Sequence, residues 1–214
     1  NNQLRSRPQN LNYFFKEGMG WSDICSGKFS IRYKNKIIFD AVGQTIFSNQ
    51  RKDLFYLGAF FNSKIANYLL SLIIPTTHYS CGVVTKVPVI FPKEESTKTT
   101  IDTITQSCID ISRAEWDSRE TSWDFKVNPL IEFVNSENNQ IETSYNMWCK
   151  YALNQFIQLH ENEEELNRLF IDIYGLQDEM TPDVDFEDIT LFKKELKDRT
   201  GLVGAESISA RNDE

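Results

Sequence analysis

The sequence predicts an α+β fold: a small mixed or antiparallel sheet with a packed helix, followed by a mostly helical region. Three observations predict it. Period-two alternation is confined to the first half of the chain, and apolar spacing of three and four dominates the second. The charge changes sign between them: residues 1–93 carry twelve Lys/Arg against four Asp/Glu, and residues 94–214 carry eleven against twenty-seven. Fifteen Phe, eight Tyr and four Trp in 214 residues supply ample core.

Phe29 to Tyr33 alternates apolar and polar residues, and Lys36 to Phe39 follows after the polar Lys34-Asn35, which predicts the two strands of a hairpin. Its outward positions are Ser30, Arg32, Lys34 and Lys36. Thr45 to Phe47, after Gly43, reads as a third strand. Leu57, Phe60, Phe61, Ile65, Tyr68, Leu69 and Leu72 then recur at helical spacing, so one helix is expected from Asp53 or Leu54 to Leu72, stopped by Pro75. Gly82 to Phe91 returns to β composition, with Pro88 at an edge or a break. The sign of the charge flips at Lys93–Glu94, and the domain boundary is placed there.

Beyond it, Thr100 to Ser122 keeps Ile101, Ile104, Cys108, Ile111 and Trp116 near one helical face, and Ser144 to Leu159 does the same with Trp148, Tyr151, Leu153, Phe156 and Leu159. A further helix, Glu163 to Tyr174, carries Leu166, Leu169, Phe170 and Ile173 on one stripe, with Gly175 as its C-cap. Residues 124–140 read as a connector, 181–188 as an acidic loop, and 191–197 as a last short helix. The expected organisation is therefore 1–93, an α/β domain; 94–200, a helical scaffold or interaction region; and 201–214, a disordered tail.

Several function classes lose support. The longest apolar run, Tyr68 to Pro75, falls short of the ~20 residues a bilayer span needs, so a cytoplasmic protein without membrane contact is expected. The chain opens on Asn1 within a polar stretch and reads as a piece of something longer. Cys25, Cys81, Cys108 and Cys149 lack the close spacing of a zinc ribbon or a disulfide framework. His78 and His160 lie far apart with no nucleophile elbow, and His160, at an acidic helix end, reads as a surface residue. Pro182-Asp183 with Glu195-Leu-Lys197 has the spacing of a metal-dependent nuclease, which requires adjacent strands; 188–197 reads as a charged helix, so no metal and no catalytic residue are expected. No Gly-rich phosphate cradle occurs.

In the basic half, Arg5, Arg7, Lys16, Lys28, Arg32, Lys34, Lys36, Arg51 and Lys52 alternate with Tyr13, Phe14, Phe15, Trp21, Phe29 and Tyr33. Basic side chains neutralise phosphates while polar loop and strand groups read base edges. A solvated sheet face over an aromatic core has the same composition, and composition alone does not separate the two.

Longer motifs add a resemblance. Gly20-Trp-Ser-Asp-Ile-Cys-Ser-Gly-Lys-Phe-Ser-Ile-Arg32, Ile38-Phe-Asp40, Gly43, Leu57-Gly-Ala-Phe-Phe-Asn-Ser-Lys64, Ala66-Asn-Tyr-Leu69, Pro75-Thr76 and Gly82-Val-Val-x-x-Val-Pro88 resemble the specificity region of adenine-specific DNA methyltransferases of the TaqI-like and bifunctional restriction–modification type. Ile111-Ser-Arg-Ala-Glu-Trp-Asp-Ser-Arg-Glu-Thr-Ser-Trp-Asp-Phe125 and Glu164-Glu-Leu-Asn-Arg-Leu-Phe-Ile-Asp-Ile-Tyr-Gly175, ending Glu179-x-Thr-Pro182, resemble the C-terminal part of PglX, the methyltransferase of BREX phage-defence systems.

The resemblance implies a target-recognition domain followed by a helical region, binding double-stranded DNA for a bacterial site-specific adenine-N6 methyltransferase. In such families an Asn/Asp-Pro-Pro-Tyr/Phe motif and a Gly-containing loop for S-adenosylmethionine lie in an N-terminal catalytic domain; here Asn128-Pro129 is followed by Leu130. No cofactor is therefore expected in this fragment. Its expected partners are double-stranded DNA, the parent chain's N-terminal methyltransferase domain and other defence-system proteins. The candidate DNA-binding residues are Arg5, Arg7, Lys28, Arg32, Lys34, Lys36, Lys64, Thr76, Thr77 and Tyr79, with Trp21 as a core anchor. Glu161, Glu163, Glu164 and Glu165 fit the positive end of a helix dipole; the rival reading makes the acidic helices a protein-docking surface.

Overall fold

A computed structural model describes residues 9–74, 76–134 and 140–196 and shows an α+β fold. Three short strands, β1 (Gly18–Gly20), β2 (Arg32–Lys34) and β3 (Thr45–Ile46), form an antiparallel sheet of order β2-β1-β3. Register sets Gly18 against Lys34, Gly20 against Arg32, and Met19 between Tyr33 and Ile46. The central strand opens on glycine for a steric reason: a Cβ on Gly18 would lie 2.6 Å from Thr45 Cγ2 and 2.9 Å from the Ile46 carbonyl oxygen. Met19 fills the space that Gly58 leaves on the helix behind, where an added Cβ would lie 2.6 Å from its Cε.

The predicted hairpin does not form. Only Arg32–Lys34 is extended into a strand, and its partner is β1. Lys36 sits at φ 58° and turns the chain away, while the preceding backbone is satisfied by side chains. Asn62 accepts from the Ile31 N–H and donates to the Ile31 carbonyl, both at 3.0 Å, and Asn67 donates to the Phe29 carbonyl at 3.2 Å. Two amides thus stand in for a neighbouring strand, leaving Phe29 and Ile31 buried.

The single helix predicted from Asp53 or Leu54 to Leu72 is two helices, α1 (Arg51–Asn62) and α2 (Lys64–Ile73). Ser63, at ψ 161°, interrupts them. Its hydroxyl donates to the Phe60 carbonyl (2.7 Å) and accepts from the Ala66 N–H (3.3 Å), capping α2. The hydrophobic spacing continues across the break, which is why the pattern concealed it. Pro75 lies outside the described residues.

The strand expected over Gly82–Phe91 is instead a helical turn, α3 (Cys81–Val84), followed by irregular chain. No strand is needed to satisfy its backbone. Tyr174 Oη donates to the Pro88 carbonyl (2.6 Å) and accepts from the Ile90 N–H (3.1 Å), and Tyr56 Oη donates to the Ile90 carbonyl (2.5 Å).

The remaining helices are α4 (Glu95–Asp117), α5 (Pro129–Glu132), α6 (Ile141–Tyr174) and α7 (Lys193–Leu196). α5 is capped by Asn128, whose Oδ1 accepts from Leu130 N–H, and falls inside the expected connector. Two helices were expected where α6 runs unbroken for 34 residues. It ends as predicted at Gly175, φ 68°, where Leu176 N–H bonds the Ile171 carbonyl and Gly175 N–H that of Asp172. The expected tail, 201–214, lies outside the described residues.

Two compact units result: residues 1–106 with 165–182, and residues 107–164 with 183–214. The division therefore does not follow the change of charge at Lys93–Glu94. The first unit holds fourteen Lys/Arg against eleven Asp/Glu, the second nine against twenty. In the first, Tyr56 and Phe60 pack on Phe170, and Phe60 stacks on Tyr174 at 5.7 Å. In the second, Ile111, Trp148, Ala152, Phe156, Leu159, Ile189, Phe192 and Leu196 form one core.

His160 is buried at 6% exposure rather than on the surface. Its Nε2 is 2.7 Å from the Val184 carbonyl, its ring lies 4.5 Å from that of Phe186, and Glu164 accepts from the Val184 N–H at 3.1 Å. One turn of α6 thereby clasps both polar groups of a residue in the acidic loop. Trp116, assigned to the apolar face of α4, is half-exposed.

Candidate nucleic-acid interface

The sheet and two loops beside it position most of the predicted contact residues. Trp21, directly after β1, is buried, donates from Nε1 to the Tyr79 carbonyl at 2.7 Å and lies edge-on to Phe29. It is the core anchor the sequence reading assigned. The loop over 76–79 runs antiparallel to the chain following Trp21: Cys25 N–H bonds the Thr77 carbonyl (3.0 Å), Tyr79 N–H bonds the Asp23 carbonyl (2.6 Å), and Ile24 bridges His78. Thr76 and Thr77 are exposed, whereas Tyr79 is half-buried with its ring 4.9 Å from Phe29. His78 Nε2 lies 3.0 Å from Asp23 Oδ2, so that carboxylate already occupies it. Lys28 is exposed in the loop that this bridge supports.

The basic residues divide by what they already touch. Arg32, on β2, and Lys36, just after it, are exposed and pair with no acid among the described residues. Lys34 is half-buried across Gly20, and burial, then the neighbouring Arg32, push its ammonium below the usual lysine range. Lys64 is drawn to the Thr181 carbonyl, 3.2 Å from its Nζ, and its N–H is held by Asn167 Oδ1 at 2.9 Å. Arg5 and Arg7 lie outside the described residues.

Other bases of the first half serve the fold. Arg51 Nε is 3.2 Å from Glu17, its Nη2 is 3.0 Å from Gln106 Oε1, and its guanidinium covers Phe55. Lys52 meets Glu95 at 3.0 Å, and Lys98 meets Asp53 at 2.5 Å. A cleft of about 260 Å³ lined by Arg51, Lys52, Phe55, Asp102, Thr103 and Gln106 thus presents cations that are already matched.

Sequence reading missed the loop pair that carries Phe15 and Lys36. Both have left-handed backbones, φ 62° and 58°, at residues that carry no glycine-like signal. The Phe15 N–H bonds the Ile37 carbonyl at 2.9 Å, joining the two loops. No local motif announces such a bond.

The nuclease-like acids are not gathered. Asp183 is exposed, Glu195 Oε1 faces Arg119 at 3.7 Å on α7, and Lys197 is outside the described residues. Among the described residues no group of three or more His, Cys, Asp or Glu is placed to hold a metal ion, and no helix is long and apolar enough to cross a membrane.

No family model matches the chain. Over 197 residues, 91% of its length, it is 37% identical to the adenine-specific methyltransferase PglX of Lacticaseibacillus casei (strain Zhang). Over 185 residues, 84% of its length, it is 32% identical to the adenine-specific methyltransferase BrxX of Escherichia coli O9:H4 (strain HS). The chain spans 16% and 14% of the length of these curated relatives. Over most of its own length, then, the chain is similar to a short stretch of the adenine-specific methyltransferases PglX and BrxX.

Proposed function

We propose that the chain is a DNA-recognition part of a bacterial adenine-N6 methyltransferase of the restriction–modification type, acting in phage defence. The observation that carries the proposal is the similarity of nearly the whole chain to a short stretch of enzymes named adenine-specific methyltransferases. Methyl transfer from S-adenosylmethionine belongs, on this reading, to other parts of the protein. Here the TaqI-like specificity region is the first half of the chain, and its contact face centres on Arg32 and Lys36, with Lys28, Thr76 and Thr77 on the loops beside β1. Arg32 and Lys36, exposed and paired with no acid among the described residues, neutralise phosphates, while the exposed Thr77 faces base edges.

The test is binding of the 214-residue chain to duplex DNA, by fluorescence anisotropy, across a salt series. Affinity should fall steeply between about 50 and 200 mM salt, and Arg32→Ala and Lys36→Ala should each lower the log–log slope by about 1. Absence of binding at the lower salt would reject the reading, and an unchanged slope in both variants would reject this contact face.

A second reading has its own support. Residues 107–164 with 183–214 have eleven more acids than bases, and Trp123 there is fully exposed. Those features suit a protein-docking surface. Salt-insensitive capture of a purified methyltransferase domain, abolished by Trp123→Ala and unaffected by Arg32→Ala, would favour it.

A further inference from the structure

Residues 10–16 and 34–40 present an arrangement that the phosphate contacts above do not use. Four rings lie beneath it: Tyr13 is 5.0 Å from Phe47, Phe47 is 5.2 Å from Phe39, and Phe39 is 5.4 Å from Phe14. Phe15 is left out of this cluster. It is 62% exposed, while the ring of the preceding Phe14 is packed edge-on to Phe39, and its φ of 62° is one that a bulky side chain rarely adopts. Ile38, 58% exposed, and the partly exposed Ile37 share the same loop pair, stapled by the Phe15 N–H to Ile37 carbonyl bond. An apolar ring held outward on a supported loop burdens a free domain.

Cations predominate around it, and the two acids nearby are already engaged. Lys16 follows Phe15 with its ammonium 5.2 Å from the Tyr13 ring centre, and Lys34 and Lys36 precede Ile37. Glu17, the nearest acid in sequence, is bound by Tyr33 Oη (2.5 Å) and Arg51 Nε (3.2 Å). Asp40 accepts from the Val42 and Gly43 N–H groups. A protruding apolar side chain with cations beside it matches stacked bases flanked by phosphates.

We propose that Phe15, with Ile37 and Ile38 beside it, is a wedge that enters between stacked base pairs of duplex DNA while Lys16 and Lys36 hold the flanking phosphates. The wedge rests on the DNA-recognition reading and adds a mode of contact to it. Pre-ordering by the ring cluster and the staple means that no loop has to be organised on binding. The deformation cost is unstacking of one base step, which is smaller where the step is already mismatched.

The experiment compares the 214-residue chain on two labelled duplexes of one mixed sequence, identical except for a central single-base mismatch. The wild type should bind the mismatched duplex about tenfold more tightly. Phe15→Ala should lose that preference and Phe15→Tyr should keep it, while Lys36→Ala weakens both duplexes by the same factor. Equal affinity of the wild type for the two duplexes, or a preference that survives Phe15→Ala, overturns the wedge but leaves DNA recognition standing. Failure to bind either duplex overturns the recognition reading itself. Thermal melting should be unchanged in Phe15→Ala; a lowered melting temperature would assign Phe15 to the fold instead.

Discussion

Asn62 shows how one side chain substitutes for an element. Its amide satisfies both backbone groups of Ile31, a buried residue with no strand beside it. Asn62→Ala should cost about 2–3 kcal/mol in urea unfolding, because it leaves a donor and an acceptor unmatched rather than merely deleting a bond. Asn62→Asp, which sets a carboxylate oxygen against the Ile31 and Gly58 carbonyls that Nδ2 now meets at 3.0 Å, should cost at least as much. Cys108 carries a second residue-scale consequence. Burial, and then the Glu163 carboxylate, push its thiol up to about 12 from an ordinary value near 9. The fold therefore favours the neutral thiol. That contribution is fully present below the ordinary value and is lost as pH rises from there toward about 12. Stability should decline over that window less steeply in Cys108→Ala, as read by denaturant melts at successive pH values. At neutral pH iodoacetamide should modify the exposed Cys81 well before Cys108.

Secondary elements here end and bend where side chains compete for the backbone. Ser63 divides α1 from α2 through two hydroxyl bonds, so Ser63→Ala should cost about 1 kcal/mol and lower amide protection at Ala66. The hydrophobic spacing from Leu54 to Leu72 correctly reports helix but not the interruption, since both pieces bury the same kinds of residue against one core. α6 errs in the opposite sense. Polar residues around position 160 read as a gap between helices, but His160 and Asn162 are buried with bonded partners, so the helix continues through them. Phe29–Ile31 and Gly82–Phe91 have strand composition and extended or turning backbones without strand neighbours. Their amides and carbonyls are met by Asn62, Asn67, Tyr56 and Tyr174, residues distant in sequence that no local pattern selects.

For the molecule as a whole, charge and packing divide differently. The unit of residues 107–164 and 183–214 has nine Lys/Arg against twenty Asp/Glu, so like-charge repulsion opposes its compaction more than that of the other unit. Raising salt from about 20 to 200 mM should therefore increase amide protection selectively in its core, around Phe156 and Ile189, as measured by hydrogen exchange. By itself the sequence determined the α+β class, the helix endpoint at Gly175, the anchoring of Trp21 and the presence of a basic first half, because composition, periodicity and a left-handed glycine act locally. Only the tertiary structure decided which bases stay exposed. Arg51, Lys52 and Lys64 look equivalent to Arg32 and Lys36 along the chain, yet they meet Glu17, Glu95 and the Thr181 carbonyl. Those partners stand 34, 43 and 117 residues away, and Coulomb attraction and hydrogen bonding act across space rather than along sequence.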